Sequence, residues 1–285
     1  MAATGFYRLE AKIVQRSAGH STTAKAAYIH REAMYDQRTG ELHDYTRHSN
    51  KAAFSGFYAP QNAQEWAQER ESFWNAVEAR EKRKDSQLAV EYVVAFPHQM
   101  SVEHVRYAAQ DFIRENLTRK GLATDLAIHP PHEGDEKNWH MHILAPLREI
   151  DKNGEWVAKK KQFVLDPTTG RYGSDPEELK HLRERFAHHL NRQLERFGYD
   201  LRVDHRSYAD QGIDKEPGVH LGKRDAAKER RGERTKRGDL NREIAARNNE
   251  RTEARRDIAP HHSRPREPII RISQPWCAGE VYFAE

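Results

Sequence analysis

Cysteine is almost absent from this 285-residue sequence, which contains only Cys277. A disulfide within the chain is therefore impossible, and metal sites built from several thiolates are excluded. Long apolar runs are also missing, because none approaches the roughly 18–20 residues that a membrane-spanning helix needs. Residues 1–5 are neither basic nor followed by an apolar segment, so the sequence predicts no secretory signal and a cytoplasmic location.

Charged residues are abundant and unevenly placed. They make up 32% of the sequence against 36% hydrophobic residues, which predicts a soluble protein with a modest core. Residues 223–267 hold 15 Lys and Arg against 9 Asp and Glu, whereas the rest of the chain holds 33 basic and 35 acidic residues. This basic segment indicates a polyanionic partner such as nucleic acid, although a charged helix can also be plain solvated surface.

Four segments have the composition of β-strands. Residues 6–14 and 91–96 are rich in apolar and aromatic side chains, and Pro97 ends the second segment. Residues 124–129 and 140–145 predict two neighbouring strands, joined by a polar loop that contains two prolines.

Helical signals separate these strands. Ser21 is a candidate cap for a helix that continues to about Tyr35, and Ser101 for a second one. Apolar residues recur at helical spacing across residues 61–84. Asp175 followed by Pro176 predicts the start of a long helix that stops near Gly198.

The order of elements is not a regular βαβ repeat. It favours an α+β domain over residues 1–200, with a central antiparallel sheet flanked by helices. After Leu221 the apolar stripe disappears, so the following segment is predicted to be a solvated helix or a disordered arm. Residues 260–285 contain four prolines and are predicted to be extended.

The clearest candidate for a metal site is the pair His140 and His142. In a strand, residues two apart point to the same face, so both imidazoles can bind one ion. His129 ends the preceding strand and would lie beside them if the two strands pair. His132, in the loop, is a rival third ligand. Three imidazoles with open positions are typical of a catalytic metal, and they suit Mn, Zn, Co or Ni better than Mg or Ca.

Two further side chains are candidates for catalysis. Tyr28 lies among small residues in STTAKAAY (residues 21–28), which would let another surface approach its phenol; the alternative is a core tyrosine with its hydroxyl at the surface. Glu91 could orient a metal-bound imidazole or accept a proton, or it could be a surface charge at a strand edge.

A tyrosine and a metal site together suggest attack on a phosphodiester. The phenol would be the nucleophile, and a divalent cation would neutralise charge on the non-bridging oxygens. A phosphotyrosyl ester conserves the energy of the broken bond, so the strand could later be resealed.

Several motifs, in this order, resemble the MobA/MobL family of plasmid relaxases, and most closely the mobilisation relaxases of IncQ-type plasmids. They are FYRLEAKIVQRSAGHSTTAKAAYIHREAMYD, HDYTR, LAVEYVVAFP, LAIH, NWHMHI and DHRSYADQGIDKEPGVHLG, which together extend over about residues 5–222.

The resemblance implies a fold and an activity. The fold is that of the relaxase or HUH endonuclease, with the His-hydrophobe-His element on a central strand. The activity is strand-specific nicking at an origin of transfer through a 5′-phosphotyrosyl adduct, which is resealed after conjugative transfer. Tyr28 then matches the nucleophile, His129, His140 and His142 match the metal ligands, and Glu91 matches an acidic residue near them.

The resemblance also implies a cofactor, partners and a domain layout. The cofactor is a divalent metal ion such as Mn or Mg, with Zn, Co or Ni as alternatives. The partners are single-stranded DNA at the origin of transfer, accessory mobilisation proteins and a transfer coupling protein. Residues 1–200 would form the catalytic domain, residues 201–222 a DNA-wrapping extension and residues 223–285 a basic helical or disordered arm.

Some features depart from the family pattern. The loop before His140 is longer than usual and contains His132, and His20 replaces a glutamine. Many relatives continue into helicase or primase domains, so a helicase from elsewhere or a longer chain is expected. Two other functions remain open: a rolling-circle initiator or transposase with the same chemistry, and a non-enzymatic basic DNA-binding accessory protein.

Overall fold

A computed structural model describes residues 3–131, 137–158 and 176–258. The strands, in chain order, are β1 (Ala3–Thr4), β2 (Arg8–Gln15), β3 (Ala33–Asp36), β4 (Glu41–Asp44), β5 (Phe54–Tyr58), β6 (Gln87–Ala95), β7 (Thr124–His129), β8 (His140–Pro146) and β9 (Leu201–Arg202). The helices are α1 (Thr22–His30), α2 (Arg70–Arg80), α3 (Val102–Asn116), α4 (Pro176–Arg196), α5 (Gly222–Arg230) and α6 (Lys236–Ile258).

Five strands form one antiparallel sheet in the order β2-β6-β8-β7-β5. Strand β1 pairs with β9, and β3 pairs with β4 in a separate hairpin. The prediction of an α+β fold with a central antiparallel sheet and flanking helices is therefore confirmed.

Side-chain alternation along the strands divides the core into two layers. Met141, Ile143 and Ala145 of β8 belong to the layer beneath α3 and α4, whereas Leu144 belongs to the layer beneath α1 and α2. His140 and His142 have the same parity as Leu144, so they lie on the face that α1 covers.

Three of the sequence-based boundaries were wrong. Helix α1 ends at His30 rather than near Tyr35, because Arg31 adopts a left-handed conformation and β3 begins at Ala33. The helix predicted over residues 61–84 is a short 3-10 turn (Glu65–Ala67) followed by α2. The strand expected to start at Glu91 starts at Gln87, which places Glu91 in the middle of β6.

The chain divides into two compact units, Met1–Gln211 and Gly212–Glu285. In the second unit α5 and α6 confirm the expected charged helical arm as far as Ile258. Asn241 of α6 hydrogen-bonds both the N–H and the carbonyl of Val219, which fastens the segment before α5 to that helix. The predicted extended segment 260–285 lies outside the described residues. None of the described helices is long and apolar enough to cross a membrane.

Candidate active site

Three imidazoles meet where β7 and β8 pair. His129 lies directly opposite His140 in the strand register, and His142 lies opposite Ala127. The ring centres of the three histidines are 5.2–5.5 Å apart. The pairing expected for His129 is therefore present, whereas His132 lies outside the described residues.

Hydrogen bonds determine which ring nitrogen of each histidine keeps its lone pair. A carbonyl or an ionised carboxylate only accepts, so the nitrogen facing it carries the hydrogen. His129 Nε2 donates to Ile29 O (2.7 Å), His140 Nδ1 donates to Asn138 O (3.0 Å), and His142 Nδ1 donates to Glu91 Oε1 (2.8 Å). In its neutral form each ring therefore keeps its lone pair on the other nitrogen, which is Nδ1 in His129 and Nε2 in His140 and His142.

His129 is the most unusual of the three. Its side chain is buried, and its Nδ1 has no hydrogen-bond partner among the described residues. Burial lowers the pKa of His129 to about 3, and the positive charge of Arg31 adds to this effect. The ring is consequently neutral near pH 7, which is the form that binds metal.

This donor set fits a divalent cation. A nitrogen about 2.0–2.1 Å from an ion places its ring centre about 3.2 Å from it, and two such rings then lie roughly 5 Å apart. The observed spacing agrees with this value, and the orphaned Nδ1 of His129 is a buried donor that an ion would satisfy. Over the described ranges, however, no group of three or more His, Cys, Asp or Glu side chains is placed so that it could hold a metal ion as it stands. The fit therefore rests on ring spacing and donor chemistry.

Glu91 is an interior residue of β6 and only 3% exposed, which rules out the alternative of a surface charge at a strand edge. Its Oε1 accepts from His142, and its Oε2 accepts from Lys25 Nζ at 3.0 Å. Burial alone would raise the pKa of Glu91, but the hydrogen bond from His142 and the charge of Lys25 outweigh it and lower that pKa to about 2. The carboxylate is therefore ionised, and each of its oxygens accepts a hydrogen bond.

Helix α1 touches this cluster on both sides of Tyr28. Lys25 reaches Glu91, and the carbonyl of Ile29 accepts from His129. Lys25 and Tyr28 are three residues apart, so they share a helix face. Tyr28 itself is half-buried, with Tyr45 and His48 meeting its ring edge to face at 5.4 and 6.0 Å.

Both ends of α1 are held by buried polar groups. At the N-terminus, Glu78 accepts from the Thr22 N–H (2.7 Å) and hydroxyl (2.9 Å). At the C-terminus, His30 Nδ1 lies 2.7 Å from Ser55 Oγ. Its Nε2 is 2.7 Å from Asp125 Oδ1, although this contact does not meet hydrogen-bond geometry. The helix that carries Tyr28 is thus fixed against the sheet.

Sequence reasoning missed Lys25 and Arg31. Lys25 was detectable, because a lysine one turn before Tyr28 on a predicted helix shares its face. Arg31 gave no such signal, because the end of α1 was placed too late.

Known proteins resemble this chain over most of its length. The MobA/MobL family model matches residues 20–231. Mobilization protein MobL of Acidithiobacillus ferridurans is 35% identical over 259 residues, which cover 81% of this chain and 66% of that protein. The probable mobilization protein MobA of Bifidobacterium longum is 32% identical, over 88% of this chain and 49% of that protein.

A solved structure gives the same result for the fold. It is described as "Molecular Basis of Vancomycin Resistance Transfer in Staphylococcus aureus", and it superposes with a TM-score of 0.61 and 31% identity, over 71% of this chain and all of that one. The chain spans about two thirds and half of the lengths of the two curated relatives. The motifs, the sheet that carries them and the family match agree, and the chain belongs to the MobA/MobL family.

Proposed function

We propose that this protein nicks one strand of DNA at an origin of transfer and later reseals it. The observation that carries the proposal is the pair of contacts, Lys25 to Glu91 and Ile29 to His129, that hold α1 against the three imidazoles on either side of Tyr28. Membership of the MobA/MobL family supports the same activity.

The reaction is a transesterification. The Tyr28 oxygen loses its proton and forms a bond to phosphorus, and the bond from phosphorus to the 3′ oxygen breaks. The departing 3′ oxygen takes up a proton, so the reaction consumes and releases one proton each. The DNA is left joined to Tyr28 through its 5′ phosphate. Attack by a 3′ hydroxyl on this ester reverses the step and releases the phenol, so no outside energy source is needed.

The histidines and Glu91 have separate roles in this scheme. When bound by His129, His140 and His142, a divalent ion would neutralise charge on the non-bridging phosphate oxygens. Glu91 orients His142 and, in the neutral ring, fixes the tautomer whose Nε2 carries the lone pair. Because both carboxylate oxygens are already engaged, we assign Glu91 this positioning role rather than that of proton acceptor.

The partners follow from the substrate. Single-stranded DNA is the ligand, and the basic segment 223–267 adds phosphate contacts whose strength falls with salt. The 201–222 segment is proposed to wrap the DNA. Accessory mobilisation proteins and a transfer coupling protein complete the assembly in the cytoplasm.

Covalent capture tests the proposal. The protein is incubated with single-stranded oligonucleotides that tile the origin region of its own plasmid, with Mn²⁺ or Mg²⁺, and the products are separated on a denaturing gel. A slower protein–DNA species is expected, which EDTA and His142→Ala diminish. Mass spectrometry of the covalent peptide should identify Tyr28.

Tyr28→Phe should abolish the adduct while DNA binding is retained, and the matched variant Tyr35→Phe, at an exposed tyrosine of β3, should form it normally. An adduct that survives Tyr28→Phe would contradict the assignment. Binding without any adduct in the wild type would favour the non-enzymatic DNA-binding alternative. The rolling-circle alternative predicts cleavage at a replication origin instead; the order of Tyr28 before the His pair is typical of relaxases.

A further inference from the structure

Arg31 has an unusual backbone conformation for its residue type. It directly follows α1 with φ 58° and ψ 40°, and it is the one non-glycine residue with a positive φ in the described parts of the chain. For an L-residue with a bulky side chain, a left-handed backbone conformation is unfavourable in free energy. It therefore persists where surrounding contacts impose it.

The guanidinium of Arg31 lies against the proposed nucleophile. Its Cζ is 4.2 Å from the centre of the Tyr28 ring. Nη1 donates to the Tyr28 carbonyl, and Nε donates to the Asn50 carbonyl at 3.2 Å. Two backbone carbonyls therefore hold the cation against the Tyr28 ring.

Arg31 has no counter-ion among the described residues, although it is only 7% exposed. Other largely buried arginines have one: Arg16 pairs with Glu78, Arg70 with Asp125, and Arg148 with Glu81. Within the described residues no carboxylate lies within ion-pair distance of Arg31, and no group accepts a hydrogen bond from its Nη2. A buried unpaired cation is costly, which indicates that an anion completes the site.

We propose that Arg31 binds the scissile phosphate, with Nη2 donating to a non-bridging oxygen of the phosphodiester that Tyr28 attacks. This inference rests on the proposed function. A guanidinium is well suited to a phosphate because it presents planar, charge-assisted donors. Its position over the Tyr28 ring also holds the phenol in place, so one side chain fixes both partners of the reaction.

The test measures binding in a Tyr28→Phe background, which needs no chemistry and keeps the ring under the guanidinium. Fluorescence anisotropy at constant ionic strength compares ordinary oligonucleotides with ones in which a neutral methylphosphonate replaces one linkage at a time. Arg31→Asn removes the charge, and asparagine tolerates the left-handed conformation. The matched control is Arg119→Gln, an exposed arginine on the turn after α3.

Arg31→Asn should weaken binding of all-phosphate DNA by about tenfold to a hundredfold. With a methylphosphonate at one particular linkage, the wild-type and Arg31→Asn proteins should bind within about twofold of each other. Arg31→Lys should retain part of the affinity, and Arg119→Gln should lose little with any DNA. If Arg31→Asn fails to fold by thermal melting, Arg31→Gly replaces it, because glycine adopts this conformation freely.

An equal loss for Arg31→Asn with every methylphosphonate would overturn the inference and leave Arg31 with a structural role. Adduct formation by the wild-type protein is measured separately and tests the proposed function alone. If one linkage depends on Arg31 but no adduct forms, the phosphate site stands and the proposed nicking is refuted. If an adduct forms but no linkage depends on Arg31, the proposed nicking stands and the role of Arg31 is refuted.

Discussion

At the scale of single residues, hydrogen bonds decide what each histidine can do. The sequence contains 17 histidines, and three of them come together in the candidate site. In each of the three, a fixed acceptor determines which ring nitrogen carries the hydrogen. Glu91 is the link between this cluster and α1, since one oxygen serves His142 and the other serves Lys25. Its charge should therefore affect both metal affinity and stability.

Glu91→Gln tests this double role. The amide keeps an acceptor for His142 but removes the negative charge opposite Lys25. We expect metal affinity to fall by about tenfold to a hundredfold, as is typical for a partner of a metal-binding histidine. The free energy of unfolding should fall by about 1–3 kcal/mol, because a buried ion contact is lost. Calorimetric titration with Mn²⁺ or Zn²⁺ and urea unfolding measure the two effects.

Glu10→Gln is the matched control, because Glu10 lies on the neighbouring strand β2 in exposed ion pairs with Arg8 and Lys12. It should change neither quantity appreciably. Unchanged metal affinity in Glu91→Gln would mean that the carboxylate does not orient His142.

The candidate site was largely predictable at this scale because strand alternation is simple. His140 and His142 had to share a face, and His129 had to lie beside them once β7 and β8 paired. The bonds of Glu91 with Lys25 and His142 were not predictable, since they depend on where α1 packs. Arg31 depended on a left-handed turn, and nothing in its neighbouring residues signals one.

At the scale of elements, α1 depends on Glu78 of α2. This carboxylate is almost fully buried and accepts from the N-terminus of α1 through Thr22, and also from Arg16 (2.6 Å) and Arg38 (3.1 Å). A negative charge at a helix N-terminus is stabilising in its own right. One side chain therefore joins two helices and two loops.

Glu78→Gln should loosen the start of α1. Loss of the charge leaves buried Arg16 without its partner, so we expect a loss of about 2–4 kcal/mol in the free energy of unfolding. Amides in the first turn of α1 should exchange hydrogen faster, because their acceptor is weakened. Urea unfolding and hydrogen-exchange mass spectrometry test this. Glu69→Gln, at the exposed N-cap of α2, should alter neither; equal effects in the two variants would refute the special role of Glu78.

The elements that sequence reasoning found are the long ones with regular burial. Helix α3 began after Ser101 as predicted, and β7 has the predicted bounds. The β3–β4 hairpin was missed because its four-residue strands are short and carry charged residues. The helix over residues 61–84 was over-extended because periodicity continued through Trp66. That residue lies in a separate turn, with its ring 5.2 Å from Trp156.

At the scale of the whole molecule, buried histidines couple stability to pH. His189 of α4 is 4% exposed and faces Glu115 of α3 at 3.5 Å. Burial lowers the pKa of His189, and the charge of Arg192 adds to this although Glu115 opposes it. A histidine with a lowered folded-state pKa contributes stability above its unfolded value of about 6.5 and loses it as the pH falls.

The free energy of unfolding should therefore decrease as the pH falls below about 6.5. His189→Leu should reduce this decrease, because the folded state no longer resists protonation there. It should not abolish it, since the pKa of His129 is also lowered, to about 3. Urea midpoints at pH 7.5 and 5.5 provide the comparison. Replacing exposed His98 with Gln is the control, and an identical pH dependence in wild type and His189→Leu would contradict the argument.

The register between β7 and β8 links correct folding to assembly of the histidine cluster. Met141 and Ile143 alternate with His140 and His142 along β8. A register shift of one residue would place the imidazoles in the hydrophobic core layer beneath α3 and α4 and would remove the apolar side chains from that layer. A mispaired chain would thus be unstable, and it would lack the histidine cluster. A chain that folds stably therefore carries these histidines on the face of the sheet that α1 covers. Folding itself selects the register that the candidate site needs.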